Sequence, residues 1–352
     1  MNIQRREFLG LTAMAAATPL IGGCGSDDYA ITLDNRFPVG PFGASSTAEE
    51  VTEGMDLSGK IAMVTGCTSG LGYETMRVLA KRGAHVIGTG RTIEKAIEAC
   101  ASVEGETTPL MLELSDYQTA VSCAAGAQMM GLAPDILICN AGVNTFSDLE
   151  LVEGIEKNFV VNFLGHFVLV NRMMPAMLAN GTTRIVHVGS QSGYKRAPVE
   201  GIDFDNLRGE GEHDAMEAYG RSKLANALFS LELARRLQGT DVTSNVVHPG
   251  LVKTNIVRTA PTLLRKAFEW FGDYVAKSPE EGAATQVYVA TSPALEGVSG
   301  AYFEDCNPVQ VGGQHHMFDS DMALRLWRLA EEVTSDYLYP LNYPGSNMGQ
   351  VS

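Results

Sequence analysis

Tyr219 and Lys223, in the run Ala218-Tyr219-Gly220-Arg221-Ser222-Lys223, stand four residues apart just ahead of the apolar stretch Leu224-Ala225-Asn226-Ala227-Leu228-Phe229. In a helix this spacing puts a phenol and an ammonium on one face, where both can act on the same atom. The chemistry it suits is proton transfer: a free phenol titrates near ~10, and a cation within ~4–6 Å favours the phenolate and lowers that value. Alone, such a pair is more often a packed ring beside a solvated charge. It becomes chemical only if other segments deliver a cofactor and an oxygen-binding group to the same face.

From Lys60 onward, short apolar runs alternate with amphipathic segments. Strands are expected at 61–64, 84–87, 109–114, 135–139, 184–188 and 242–247. Helices are expected at 71–81, 91–101, 117–130 and 151–178, followed by the one carrying Tyr219. This rhythm predicts an α/β fold, a single doubly wound parallel sheet with helices on both faces. Ligands of such sheets sit beyond the carboxyl ends of the strands, where strand order reverses. Thr65-Gly66-Cys67-Thr68-Ser69-Gly70-Leu71-Gly72 lies there, between the first strand and the first helix. Its glycines let the backbone turn tightly and approach a pyrophosphate, while free helix N-terminal amides face the anion. Gly90 follows the second strand, where an acid would read a ribose 2′-hydroxyl, and Arg91 comes next. A neutral residue followed by a guanidinium suits a 2′-phosphate, so NADP is expected rather than NAD. Glu113 and Leu114, ending the third strand, are candidates for adenine contact.

Composition bounds the rest. The chain has 352 residues, 45% hydrophobic and 19% charged, enough for one large α/β domain, with no internal repeat or composition break after Lys60. A formal charge of −15 argues against non-specific binding of nucleic acid. Residues 1–24 read as an export signal: Arg5-Arg6 followed by Phe8-Leu9 resembles the twin-arginine type, and the apolar run 11–21 is short and broken by Pro19. Ile21-Gly22-Gly23-Cys24 resembles a lipobox, which would make Cys24 a lipid anchor. Residues 25–55 form a tether and lead-in arm, 56–330 the folded domain and 331–352 a C-terminal tail. The protein is then expected to be exported, periplasmic or anchored on the outer side of the membrane, and cytoplasmic if the leader does not function. Cys67, Cys100, Cys123, Cys139 and Cys306 form no short-spaced framework, no metal-ligand spacing is present, and His315-His316 reads as surface.

Taken together, six stretches resemble the short-chain dehydrogenase/reductase family. The glycine turn is similar to its T-G-x-x-x-G-x-G, and Asn140-Ala141-Gly142 to its N-A-G. Val161-Asn162-Phe163-Leu164-Gly165 resembles the segment bearing the family's catalytic Asn, Gly189-Ser190 that of the catalytic Ser, and Tyr219 to Lys223 its Y-x-x-x-K. Pro249-Gly250-Leu251-Val252-Lys253-Thr254 resembles the P-G-x-V-x-T that contacts nicotinamide. The resemblance covers about 56–329 and implies a Rossmann-type domain. The insert Gly201-Ile202-Asp203-Phe204-Asp205-Asn206-Leu207 between Ser190 and Tyr219 is similar to the branch containing retinol dehydrogenases, WW-domain oxidoreductases and protochlorophyllide reductase, which implies NADP and apolar substrates. Cys139 departs from the family, which usually has Asn there.

By this resemblance Tyr219 exchanges a proton with the substrate oxygen while nicotinamide exchanges hydride, Lys223 tunes the phenol and binds the nicotinamide ribose, and Ser190 positions the oxygen. Asn162 would hold a water linking Lys223 to solvent, and Ser192 is the fallback for Ser190. Thr65, Gly66, Ser69, Gly70, Leu71, Gly72, Arg91, Glu113, Leu114, Asn140, Ala141, Gly142, Tyr219, Lys223, Pro249, Gly250, Val252 and Thr254 form the expected cofactor set. The expected partner is a small alcohol or carbonyl, with a second copy of the chain left open. Segment 251–278, with Leu263, Leu264, Phe268, Trp270 and Phe271, reads either as a lid or as a packing helix. Two other functions fit the same residues: a redox-neutral isomerase, lyase or self-recycling enzyme holding its nucleotide, and a non-catalytic NADP-binding scaffold.

Overall fold

The computed structural model describes residues 29–146, 149–211, 213–252, 276–341 and 343–347. The expected export signal, Cys24, Thr254 and the 253–275 part of the expected lid lie outside the described residues.

Nine strands form one sheet. They are β1 (Ile31–Leu33), β2 (Ile61–Val64), β3 (His85–Gly90), β4 (Thr107–Met111), β5 (Ile136–Cys139), β8 (Arg184–Val188), β9 (Thr243–His248), β10 (Tyr302–Glu304) and β11 (Asn307–Val311), while β6 (Leu151–Val152) and β7 (Ile155–Glu156) make a separate hairpin. The order is β1-β11-β10-β9-β8-β5-β2-β3-β4. The strands from β4 to β10 run parallel, and β11 and then β1 close that side antiparallel. The chain winds outward from β2 through β3 and β4, then returns to β5 on the other side of β2. The crevice between β2 and β5 is therefore the switch point at which a doubly wound sheet takes its ligand.

Helices cover both faces, as the near-continuous apolar strands require. One face carries α1 (Gly70–Lys81), α2 (Ile93–Ala101) and α7 (Pro279–Thr291). The other carries α3 (Tyr117–Met129), α4 (Lys157–Asn180), α6 (Ala215–Arg236) and α8 (Ser320–Val333). The short α5 (Ser192–Lys195) lies near the start of α6. An aromatic stack locks the second face: Phe163, Phe167, Phe229 and Trp327 meet at ring-centre distances of 5.0–5.9 Å, joining α4, α6 and α8. Helix α4 is long and apolar enough to cross a membrane, but it is the core helix of this layer.

Three expectations are corrected. The helix expected over 151–178 begins only at Lys157, because Glu153 (φ 50°) and Gly154 (φ 81°) turn the chain into the β6–β7 hairpin. Glu156 then caps α4 by accepting from the amides of Asn158 and Phe159. The third strand runs over Thr107–Met111 rather than 109–114; β4 is the sheet edge, where Pro109 is tolerated. Its end falls short of Glu113 and Leu114, which sit in the following loop. The His315-His316 pair is partly buried rather than on the surface: His315 Nε2 bonds Val311 O at 2.8 Å and His316 lies between Asp319 and Val199 O. The 25–55 segment contributes β1, which pairs with β11, and buries Ala48 and Val51.

Candidate active site

Thr65 ends up at the centre of the crevice. Its Oγ1 accepts from the amides of Asn140 and Ala141, both at 2.9 Å, and Asn140 Nδ2 donates to Thr65 O at 2.8 Å. These bonds tie the loop after β2 to the loop after β5. Thr65 thus serves as a brace between the two loops.

The glycine turn has the shape an anion needs. Gly66 and Gly70 hold φ of 73° and 59°, a region open mainly to glycine. A Cβ on Gly72 would lie 2.3 Å from Gly66 O and 2.5 Å from Asn140 Nδ2, so only glycine lets α1 approach so closely. Ser69 is the N-cap of α1 yet makes no side-chain capping bond, which leaves the first amides of the helix directed at the crevice. Gly90, ending β3, packs against Thr68: its Cβ would lie 2.9 Å from Thr68 Cγ2. Arg91 follows it, exposed, and has no acidic partner among the described residues. The chemistry of this donor set fits a dinucleotide. Glu113 is engaged locally, accepting from Ser115 Oγ at 2.8 Å, and Leu114 is buried beneath Gly165.

Across the crevice, α6 presents its first two turns. Asp214 caps it by accepting from Met216 and Glu217 amides, and the helix then buries Tyr219, Ser222, Lys223 and Asn226. Gly193 lets α5 lie against this helix, since its Cβ would meet Leu224 N at 3.1 Å. The Ser190 loop is thereby held beside Tyr219, near enough for the Ser190 hydroxyl to act on the phenol. Ser192 sits one step off, its amide donating to Ser190 Oγ at 3.1 Å, which favours Ser190 over the fallback.

Burial dominates the electrostatics. It pushes the Tyr219 phenol up to about 12, against the smaller opposing effect of the nearby Ser190 hydroxyl. Burial lowers the Lys223 ammonium to about 8. Lys223 Nζ donates to Val188 O at 2.9 Å and lies 5.7 Å from the centre of the Tyr219 ring. The lowered phenol expected from the cation is therefore not found in the protein by itself; Tyr219 is held in its protonated, donor form.

Asn162 lies on a widened turn of α4, where Gly165 N–H bonds back to Val160 O five residues away. Its side chain clamps Val143, accepting from the amide at 2.8 Å and donating to the carbonyl at 2.9 Å, and it donates to Ser222 Oγ at 2.9 Å. Ser222 in turn bonds Tyr219 O at 2.7 Å. A Cβ on Gly142 would stand 3.1 Å from Asn162 Oδ1 and 3.6 Å from Lys223 Nζ, so the missing side chain leaves a water-sized slot between these two groups.

On the third side, Gly250 (φ 92°) packs on Lys277, and Val252 bridges Lys277 in parallel fashion. Thr65, Gly66, Gly72, Asn140 and Ala141 are thus bound or packed together at the switch point, and Gly142 packs beside Asn162 and Lys223, whereas Glu113 and Leu114 lie in their own loop.

Comparison with known proteins agrees with this geometry. The model of the short chain dehydrogenase family matches residues 60–202. The mouse polyprenol dehydrogenase is 39% identical over 280 residues, covering 76% of this chain and 82% of that protein. Human retinol dehydrogenase 14 is 36% identical over 342 residues, covering 91% and 98%. The chain belongs to the short-chain dehydrogenase family. As a short-chain dehydrogenase it is an oxidoreductase that uses a nicotinamide cofactor and acts on alcohol or carbonyl groups. Its relatives lie in the retinol dehydrogenase branch that the insert at Gly201 to Leu207 pointed to. Among solved structures, an uncharacterized protein from Mycobacterium paratuberculosis superposes with a TM-score of 0.65 at 28% identity, covering 83% of this chain and 98% of that one. A Beutenbergia cavernae protein described as an NAD(P) dependent gluconate 5-dehydrogenase, with NADP bound at low occupancy, gives 0.56 at 26% identity, covering 70% and 95%.

The motifs missed three residues that the fold brings to the site. Ser222 links Asn162 to Tyr219. His166 links Thr65 to Asn162. Gln286 of α7 donates to Thr75 Oγ1 and to Asn140 Oδ1. His166 and Ser222 had a local signal, standing four residues after Asn162 and three after Tyr219.

Proposed function

We propose that this chain is an NADP-dependent oxidoreductase that reduces the carbonyl of an apolar substrate, or oxidises the corresponding alcohol, with Tyr219 as the proton carrier. The observation that carries the reading is the meeting of Ser190, Tyr219, Lys223 and Asn162 on one side of a crevice whose other side is the uncapped start of α1. NADP is favoured by Arg91, which stands free beyond β3 with Gly90 in place of an acid. An apolar substrate is favoured by the two relatives, whose names specify long isoprenoid alcohols.

NADPH, which the glycine turn and the uncapped start of α1 would hold, would supply the hydride to the substrate carbon. The chain supplies the rest. Ser190 donates to the substrate oxygen and orients it, and Tyr219, protonated because it is buried, hands over its proton as negative charge develops there. Lys223 lies over the phenol ring and favours the phenolate that is left, and the slot beside Gly142 gives its ammonium a water contact with Asn162 Oδ1. The proton returns to Tyr219 along that route. At neutral pH the buried Tyr219 phenol is in its protonated form, the form that carbonyl reduction uses.

The test is a screen of isoprenoid aldehydes and simple aldehydes with NADPH, followed by nicotinamide absorbance. Oxidation of NADPH with an apolar aldehyde supports the reading. Turnover with none, by protein that binds NADPH, would remove it and favour the scaffold alternative.

A further inference from the structure

Thr65 Oγ1 accepts two amide protons, from Asn140 and Ala141, which occupies both of its lone pairs. Its own proton has two candidate acceptors, Ile138 O at 3.5 Å and His166 Nε2 at 2.9 Å. Only the second is a hydrogen bond of ordinary length. His166 Nε2 therefore accepts, the ring is neutral, and its proton sits on Nδ1, which lies 3.1 Å from the Asn162 carbonyl. The ring is 2% exposed, so burial disfavours its charged form, and the nearby Lys223 ammonium opposes a second positive charge in the same sense. A charge on His166 would likewise oppose one on the neighbouring His187.

We propose that His166 is a positioning residue: it holds the widened turn bearing Asn162 against Thr65, and through Ser222 sets Tyr219 relative to the cofactor loops. The inference rests on the dehydrogenase reading above. The connection is continuous, running from Thr65 through His166 to Asn162, from Asn162 Nδ2 to Ser222, and from Ser222 to Tyr219 O. It is also asymmetric. Without the ring, Thr65 keeps both amide bonds, so the cofactor loops persist. The Asn162 carbonyl loses its ring donor, and the widened turn is free to tighten into regular helix, which withdraws Asn162 Oδ1 from Lys223. The loss falls on turnover, and cofactor binding is spared.

His166→Phe removes both bonds at similar volume. Its kcat is expected to fall about 10- to 30-fold, the equivalent of about 1.4–2 kcal/mol, with the NADPH Kd within about threefold of wild type. In His166→Asn the side-chain amide replaces the Nδ1 donor and recovers most of the loss. Unchanged kcat in the Phe variant, a parallel loss of NADPH affinity, or equal impairment of Phe and Asn variants would each overturn the proposal. Nitrogen NMR of wild-type protein, with the ring assigned through the Asn variant, gives an answer independent of activity. A neutral Nδ1–H ring that does not titrate between pH 5.5 and 7.5 is expected, and an Nε2–H or charged ring would overturn the proposal. If wild type turns over no carbonyl, the dehydrogenase reading fails while the NMR result still decides the state of His166.

Discussion

Lys223 Nζ bonds Val188 O, two residues before Ser190, at 2.9 Å and stands over the Tyr219 ring 5.7 Å from its centre. One carbonyl at the end of β8 thus fixes the cation relative to both hydroxyls of the site. The arrangement works against stability, because the ammonium is buried and its pKa falls from 10.5 to about 8.

Lys223→Met should therefore stabilise the protein while abolishing turnover. Between pH 8 and 10.5 the unfolded chain binds more protons at this position than the folded one, so the penalty is fully present below pH 8 and is relieved as pH rises through that window. At pH 7 the variant should gain about 1–3 kcal/mol, less than the full shift because the Val188 bond is also lost. Urea unfolding at pH 7 and pH 10.5 checks this: a gain at pH 7 that vanishes at 10.5 is expected, and destabilisation at pH 7 would contradict it.

Three buried histidines should make the fold acid-sensitive before carboxylates titrate. Burial lowers His166 to about 4 and His187 and His248 to about 3, all from 6.5. Below pH 6.5 the unfolded chain binds the extra protons, so the stability given by the neutral rings is present above 6.5 and falls as pH drops. Because the unfolded imidazole is half protonated at pH 6.5, each ring contributes about 1 kcal/mol between pH 6.5 and 5.5, or about 3 kcal/mol for the three. Urea midpoints at these two pH values, with His187→Phe removing about a third of the slope, test the assignment; a pH-independent midpoint would refute it.

Arg91→Ala should weaken NADPH by about 10- to 100-fold, the loss of one charge-assisted bond of about 1.5–3 kcal/mol, and leave NADH nearly unchanged. Titration calorimetry with both nucleotides reads the difference. Equal weakening of the two would remove the basis for preferring NADP.

The parts of this protein that were legible in the sequence are those in which function is local. The glycine turn, Asn140-Ala141-Gly142, Ser190 and the Tyr219–Lys223 step each stand out within a few residues, and the alternation of strands and helices shows the sheet. What was not legible depends on distant partners. The edge strand β4 is set by pairing with β3, so its end missed Glu113 and Leu114. The hairpin β6–β7 hung on a two-residue turn, Glu153-Gly154, inside a run with helical periodicity. Strand β1 forms only by pairing with β11, some 280 residues away in the chain, and His166 acquires its partner Thr65 across 101 positions. The expected depression of the Tyr219 pKa failed for the same reason: burial is a property of the whole fold, and it outweighs a cation one helical turn away.

The most direct test of the account is Tyr219→Phe, which removes one oxygen and leaves the ring that packs over Lys223. NADPH binding, read by fluorescence or calorimetry, should stay within about threefold of wild type, while single-turnover reduction of the aldehyde found in the screen falls by about 10²–10⁴-fold, the usual share of a positioned general acid. Retained binding with turnover lost is the predicted result. Undiminished reduction by the Phe variant would contradict the assignment of Tyr219 and the mechanism built on it.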